Sequence, residues 1–435
     1  MSSSRRRHLA VLVSALVMLG LVTTACGSSS SGSGTTAVAA SSADAGSPAG
    51  PASGGGSPAA GSPIKIGLAA AETGFNAEGS GSTVPAAKAW ADWVNANGGI
   101  GGHQVAIVDE DTAGTPSTAL SAVKTLVTSD HVVAVMIEDA ATDSVVAPYL
   151  QQNNIPVIGL LGFAPDPWTK YSNFFQIAAI APATNIAQYA AAKAVGGKTM
   201  MAVECAEVPV CAQVGQQLVA KSGTDGVTFE GQLLASASAP NYTAQCLIFK
   251  QKNIDVVGIG LTTAVLQKLI GDCAQQGYTG SYALIAGEII QKDLDTVKGV
   301  KFGGAMVSFP WWVNAAPVAE FRSAMSKYAP QLDFRNTFVA TTWTALQLFK
   351  KAVSANPDNL TPAKVLNAYY GIKDETLGGL LPQPITFTRG KASPAVTCFW
   401  PLVYTAGDQS PKAMQVGPSG NNASGGLSSS CNTQG

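Results

Sequence analysis

Few residues of this 435-residue chain are of types and spacings that do chemistry, and the cysteines come first. With Cys26 near the N terminus set aside, Cys205, Cys211, Cys246, Cys273, Cys398 and Cys431 form an even set. In an exported chain such a set reads as three disulfides, for which fifteen connectivities exist. Proximity along the chain favours Cys205–Cys211, Cys246–Cys273 and Cys398–Cys431, whose loops would stabilise by roughly 2.4, 3.6 and 3.8 kcal/mol on the chain-entropy view. As metal ligands or a redox pair, Cys205 and Cys211 lack a CxxC spacing. Beyond the N-terminal segment the histidines are His103 and His131, far apart and without cysteine or carboxylate at ligand spacing, so no metal site is expected. The chain has no GxSxG elbow, no HExxH and no P-loop. The expectation is a protein that is not an enzyme and uses no cofactor.

Export is written at the N terminus. Arg5, Arg6 and Arg7 precede an apolar run from Leu9 to Val22, which ends at Thr23-Thr24-Ala25-Cys26. So short a run, bounded by small residues, fits a cleaved signal over 1–25 better than a permanent membrane helix. The segment resembles a bacterial lipoprotein signal, except that Thr23 stands where leucine is usual. The resemblance implies cleavage before Cys26 and diacylglycerol on its sulfur, hence a lipid anchor on the extracytoplasmic face of the cell membrane. After Cys26, residues 27–63 are almost wholly Ser, Gly, Ala, Pro and Thr, with Asp44 the one charge. They cannot bury enough apolar surface to fold and read as a tether, with an end-to-end distance of roughly 35 Å.

The elements that must position any site begin near Ile64. The chain is 46% hydrophobic and only 12% charged, which suits a large core. Removal of Arg5, Arg6 and Arg7 leaves 23 basic residues against 27 acidic ones, without a basic stripe, so nucleic acid is excluded as a partner. Short β-branched runs at 64–68, 105–108, 132–137, 156–158 and 174–178 read as buried parallel strands. Between them lie helices: Ala86, Trp90, Trp93, Val94 and Asn97 share a face behind Pro85, and Leu120, Val123 and Val127 do so behind Ser117. After Pro182 the alternation repeats, with strands at 199–203, 227–231, 254–259 and 282–285. Two βα arrays mean two α/β lobes. A helical stretch over 318–370 is expected to pack on the first lobe, and strands at 385–387 and 396–403 to close the second. The expected fold is α/β: two Rossmann-like lobes with parallel sheets, 64–180 plus about 312–376 and about 181–311 plus 377–435, joined by a multi-strand hinge.

The stretch Trp93-Val-Asn-Ala-Asn-Gly-Gly-Ile-Gly-Gly-His-Gln-Val, then Val108-Asp-Glu-Asp-Thr, then Asn154-Ile-Pro-Val-Ile-Gly, resembles the leucine/isoleucine/valine-binding family of type I periplasmic binding proteins. These are solute receptors of ABC importers, and the similar order of elements runs from Ile64 to about Tyr404. Gly98 to Gly102 do not form a dinucleotide fingerprint, because they follow a helix instead of opening one.

In parallel α/β sheets a ligand lies beyond the carboxyl ends of the strands, which points to residues 72–79, 138–142, 159–163, 204–210, 260–263 and 287–288. The resemblance implies that a helix N-terminus in the first lobe cradles a ligand carboxylate, and Thr142 could keep that role or be a plain N-cap. Glu138 and Asp139 beside it would repel an anion. In the second lobe Glu288 matches the family's ammonium anchor, while the family's tyrosines are replaced by Leu261-Thr262-Thr263 and Val208-Pro209-Val210. The expected ligand contacts are Phe75, Asn76, Glu138, Asp139, Ala141, Thr142, Gly162, Phe163, Thr262 and Glu288, with Phe309, Trp311 and Trp312 as aromatic walls or core. The resemblance thus implies a monomer that captures a small polar solute, an amino acid, cationic or polyhydroxylated, and delivers it to an ABC permease. A ligand-sensing envelope lipoprotein with no transporter would share fold and pocket.

Overall fold

The computed structural model describes residues 61–74, 77–139, 141–416 and 418–431. The signal, Cys26, most of the tether, Phe75 and Asn76 lie outside the described residues.

The first sheet is parallel throughout, in the order β2-β1-β3-β4-β5, from β1 Gly61–Ala70, β2 His103–Asp111, β3 Ala134–Glu138, β4 Val157–Ile158 and β5 Phe174–Phe175. Every residue of β3 is buried, as expected of a strand covered on both faces by βα crossovers. β4 and β5 are shorter than their apolar runs, because Gln176–Ile180 leaves the sheet to cross to the second lobe. The helix Thr83–Ala96 covers one face and stops at Gly98 and Gly99, both at positive φ. A Cβ on Gly99 would stand 2.1 Å from the His103 carbonyl oxygen, so this turn into β2 requires glycine there.

The second sheet runs β12-β11-β10-β9-β8-β6-β7, with β13 paired to β11. Its strands are β6 Thr199–Cys205, β7 Thr228–Ala235, β8 Val256–Gly260, β9 Ser281–Ile285, β10 Lys301–Met306, β11 Cys398–Thr405, β12 Lys412–Ala413 and β13 Ser430–Cys431. β6 to β10 are parallel, whereas β11 pairs antiparallel with β10. β10 has no sequence forecast, since Gly303 and Gly304 dilute its pattern. The glycines have a packing reason: a Cβ on Gly303 would meet the Ala191 carbonyl oxygen at 1.9 Å, so helix Ala181–Ala194 lies directly on the strand.

The strand expected over 385–387 is a single bridge between Glu375 and Ile385, next to Pro382 and Pro384, which donate no ladder hydrogen bonds. Helices Ala316–Tyr328 and Thr337–Val353 pack on Thr83–Ala96, with Trp93 and Trp343 rings 4.9 Å apart and Lys350 Nζ 4.6 Å above Trp93. The chain passes between the sheets after Phe175, after Met306 and before Cys398. The disulfides are Cys205–Cys211, Cys246–Cys273 and Cys398–Cys431. The last joins β11 to β13 and fastens a tail in which the buried Asn421 amide donates to the carbonyls of Leu381 and Leu427.

Candidate functional site

A cavity of about 150 Å³ opens between the lobes, beyond the carboxyl ends of β4, β6, β8 and β9. The first lobe contributes Leu161, Gly162 and Phe163 after β4, Gly79, and Phe338 from the first turn of helix Thr337–Val353. Phe338 is buried tightly: a Cβ on Gly79 would come within 2.4 Å of its ring, and one on Gly287 within 3.3 Å. Ala179 and Ala181 enter from the crossing after β5. From the second lobe come Val208, Val210 and the Cys205–Cys211 bridge, Leu261 after β8, Ile285 at the end of β9 and Ala286 after it. These walls are apolar, and an apolar cavity of roughly 150 Å³ accommodates a benzene-sized body.

Two buried carboxyls, Glu204 and Glu288, interrupt the apolar lining, and a third, Glu78, stands exposed. Glu288 sits in the turn that ends β9, where its Oε2 accepts the Ile285 N–H at 3.0 Å. Burial pushes its pKa well above the usual carboxylate range, and the neighbouring Glu204 pushes it further. Glu204, near the end of β6, is pushed up to about 8 by burial, opposed only by a hydrogen bond from Gln188. No Lys, Arg or His lines the cavity. The remaining polar groups are partly engaged: Thr184 Oγ1 donates to the Ala181 carbonyl and Asn185 Nδ2 to Gln217 Oε1.

Of the expected contacts, Gly162, Phe163, Thr262 and Glu288 line this cavity. Glu138, Asp139, Ala141 and Thr142 do not, and the reason is internal bonding. Asp139 accepts from Thr112 Oγ1 at 2.5 Å, Thr142 Oγ1 at 2.6 Å and the Ala141 N–H at 2.9 Å. The loop that leads into helix Asp143–Gln152 thus spends the Thr142 hydroxyl and the Ala141 N–H on the chain's own carboxylate. Glu138 is fully buried behind the wall, with Oε2 on the Leu161 N–H at 3.3 Å and a pKa raised by burial. Phe309, Trp311 and Trp312 serve the crossing after β10: Trp311 Nε1 donates to Gln291 Oε1, and Arg322 caps the carbonyls of Trp311 and Val313.

Sequence reasoning missed Glu204 and Phe338 as individual residues. The first lay inside an expected loop, and only the lobe pairing reveals the second. It also missed Asp143, whose Oδ2 accepts the N–H groups of Phe163 at 3.3 Å and Ala164 at 2.9 Å and so holds the wall loop in place. Among the described residues no cluster of His, Cys, Asp and Glu could hold a metal ion.

Two α/β lobes with a cavity between them, linked by several crossings, define a hinged binding protein. The chain belongs to the periplasmic binding protein family, whose model matches residues 63–409, a family that binds solutes without transforming them. Its fold is shared by a leucine-binding protein from Thermotoga maritima at 14% identity and TM-score 0.66, over 81% of this chain and 97% of that one. A branched-chain amino acid binding protein from Streptococcus pneumoniae, solved with isoleucine, gives 16%, 0.66, 81% and 99% in the same terms. A fatty acid ABC transporter substrate-binding protein from Thermomonospora curvata gives 16%, 0.67, 83% and 93%. No curated protein matches the chain in sequence.

Proposed function

We propose that this chain is an extracytoplasmic receptor, held at the cell surface by a lipidated Cys26, that closes on one small solute and passes it unchanged to an ABC import permease. The cavity between the lobes carries this reading: it draws on both lobes, its walls are mostly apolar, and its polar groups are few. The lining supports a ligand body that is apolar and about the size of a benzene ring, in place of the polyhydroxylated solute that the carboxylates of 138–139 suggest in the sequence. Similar proteins solved with isoleucine or named for fatty acids carry apolar bodies as well. The diacyl cysteine supplies the two chains that stable anchoring requires, and the tether keeps the folded part clear of the head groups.

A thermal-shift screen of small amines, acids and alcohols, followed by calorimetry on the hits, tests the receptor. The expected result is one-to-one binding that Gly287→Trp, which fills the cavity, abolishes. Binding that survives Gly287→Trp would place the ligand elsewhere. Uptake of the hit by cells lacking the chain, compared with cells that carry it, separates an importer component from a sensor.

A further inference from the structure

Glu204 and Glu288 come from β6 and from the turn after β9, strands separated in the sheet by β8 alone. The end of β8 between them is Gly260, where a Cβ would stand only 1.7 Å from Glu204 Oε2. Glycine therefore leaves room for the Glu204 carboxyl to lie across the strand end, close enough to Glu288 that its charge opposes ionisation there. Glu204 is 2% exposed; its Oε1 accepts from Gln188 Nε2 at 3.5 Å, and Oε2 has no hydrogen-bond partner among the described residues. Both carboxyls and Gly260 belong to the cavity wall, which holds no cationic side chain and whose third carboxyl, Glu78, stands exposed. On the opposite lobe the Thr112 and Thr142 hydroxyls and the Ala141 N–H are taken by Asp139.

We propose that Glu204 and Glu288 act as one site, sharing a single proton, that takes the head of a monocationic amine lacking any carboxylate, its apolar body filling the rest of the cavity. This rests on the receptor reading above and names its ligand class. Charge balance carries the argument. Two ionised carboxyls facing one cation leave an uncompensated buried charge, whereas a pair holding one proton carries one negative charge and cancels the ammonium. An α-amino acid would bring its own carboxylate to a lining that offers it no cationic side chain, only neutral hydroxyl and amide donors such as Thr262 and Asn185. Before the ammonium enters, burial favours the protonated form of both carboxyls, with Glu204 raised to about 8. Entry of the ammonium then sends one proton to solvent, and the second proton stays between the two oxygens.

The test is calorimetry on the exported chain with benzylamine, benzyl alcohol, benzoate and phenylalanine, in phosphate and in Tris, whose ionisation heats differ. Benzylamine should bind at least tenfold more tightly than benzyl alcohol, release about one proton, and gain about tenfold in affinity from pH 6 to pH 7. Glu204→Gln, which mimics the protonated partner, should keep benzylamine within about threefold, whereas Glu204→Gln combined with Glu288→Gln, which leaves no charge, should weaken benzylamine tenfold or more and leave benzyl alcohol within twofold. Tighter binding of benzoate or phenylalanine, no proton release with benzylamine, or unaltered benzylamine binding when both Glu204→Gln and Glu288→Gln are present would overturn the assignment. In each of these cases, loss of the bound probe in Gly287→Trp keeps the receptor reading intact while the amine class falls. Benzylamine binding that persists in Gly287→Trp overturns both.

Discussion

Asp139 illustrates how one residue redirects a site. Its carboxylate, 1% exposed, takes two hydroxyls and an amide in the interior of the first lobe. Asp139→Ala strands these donors in a buried place, where each lost bond to a charged group is worth about 1.5–3 kcal/mol, partly recovered by relaxation. A loss of about 3 kcal/mol in urea unfolding is the expected outcome, and a change below about 1 kcal/mol would mean that water replaces the carboxylate there. Gly260→Ala belongs to the same scale. Its methyl must displace the Glu204 carboxyl, so binding of an amine should fall at least tenfold while the melting temperature moves little. Neither role is identifiable from sequence: Asp139 reads as a ligand contact that repels anions until its partners are seen, and Gly260 reads as part of the crevice loop 260–263 without its bearing on Glu204.

At the scale of elements, the parallel strands and the helices between them are legible because continuous apolar runs and helical spacing record burial directly. β10 escapes because its burial is achieved by the absence of side chains, through the contact of Gly303 with helix Ala181–Ala194. The strand anticipated over 385–387 has the right residues, but flanking prolines reduce it to one bridge. The cysteines are the clearest signal, and the adjacent pairs follow from chain proximity alone. The Cys246–Cys273 bridge ties helix Thr243–Gln251 to helix Thr263–Gln275, away from the cavity. Replacing both of its cysteines by alanine should lower stability by about 3–4 kcal/mol and leave binding intact in the folded fraction. The Cys205–Cys211 pair should cost less, about 2 kcal/mol, yet weaken binding, because its loop supplies Val208 and Val210 to the wall. Denaturant titration and calorimetry on the two double variants separate these effects.

For the molecule as a whole, buried acids set an unusual response to pH. Glu204 is raised to about 8 and Asp143 to about 6, with Glu138 and Glu288 raised as well, all chiefly by burial. A group whose folded pKa lies above its unfolded value binds more protons when folded, so its contribution is full at low pH and is lost as pH rises through the folded pKa. The free protein should therefore melt at higher temperature at pH 5.5 than at pH 8.5. Glu204→Gln should flatten the upper part of that profile and raise the melting temperature at pH 8.5. A melting temperature that climbs steadily from pH 5.5 to 8.5 would contradict the assignment of these carboxyls as neutral in the fold.

Phe338 has a mechanical meaning at this scale. Its ring, 2% exposed, is seated between Gly79 of one lobe and Gly287 of the other. Separating the lobes must wet one side of that ring, a penalty of about 1 kcal/mol or more for half of a buried aromatic. The protein therefore carries its own spring toward the shut form, and the ligand need not drive closure alone. Phe338→Ala should slacken that spring: the unliganded chain would spend more time ajar, visible as a larger radius of gyration in X-ray scattering. Its apparent affinity would fall in proportion to the shrunken share of shut molecules.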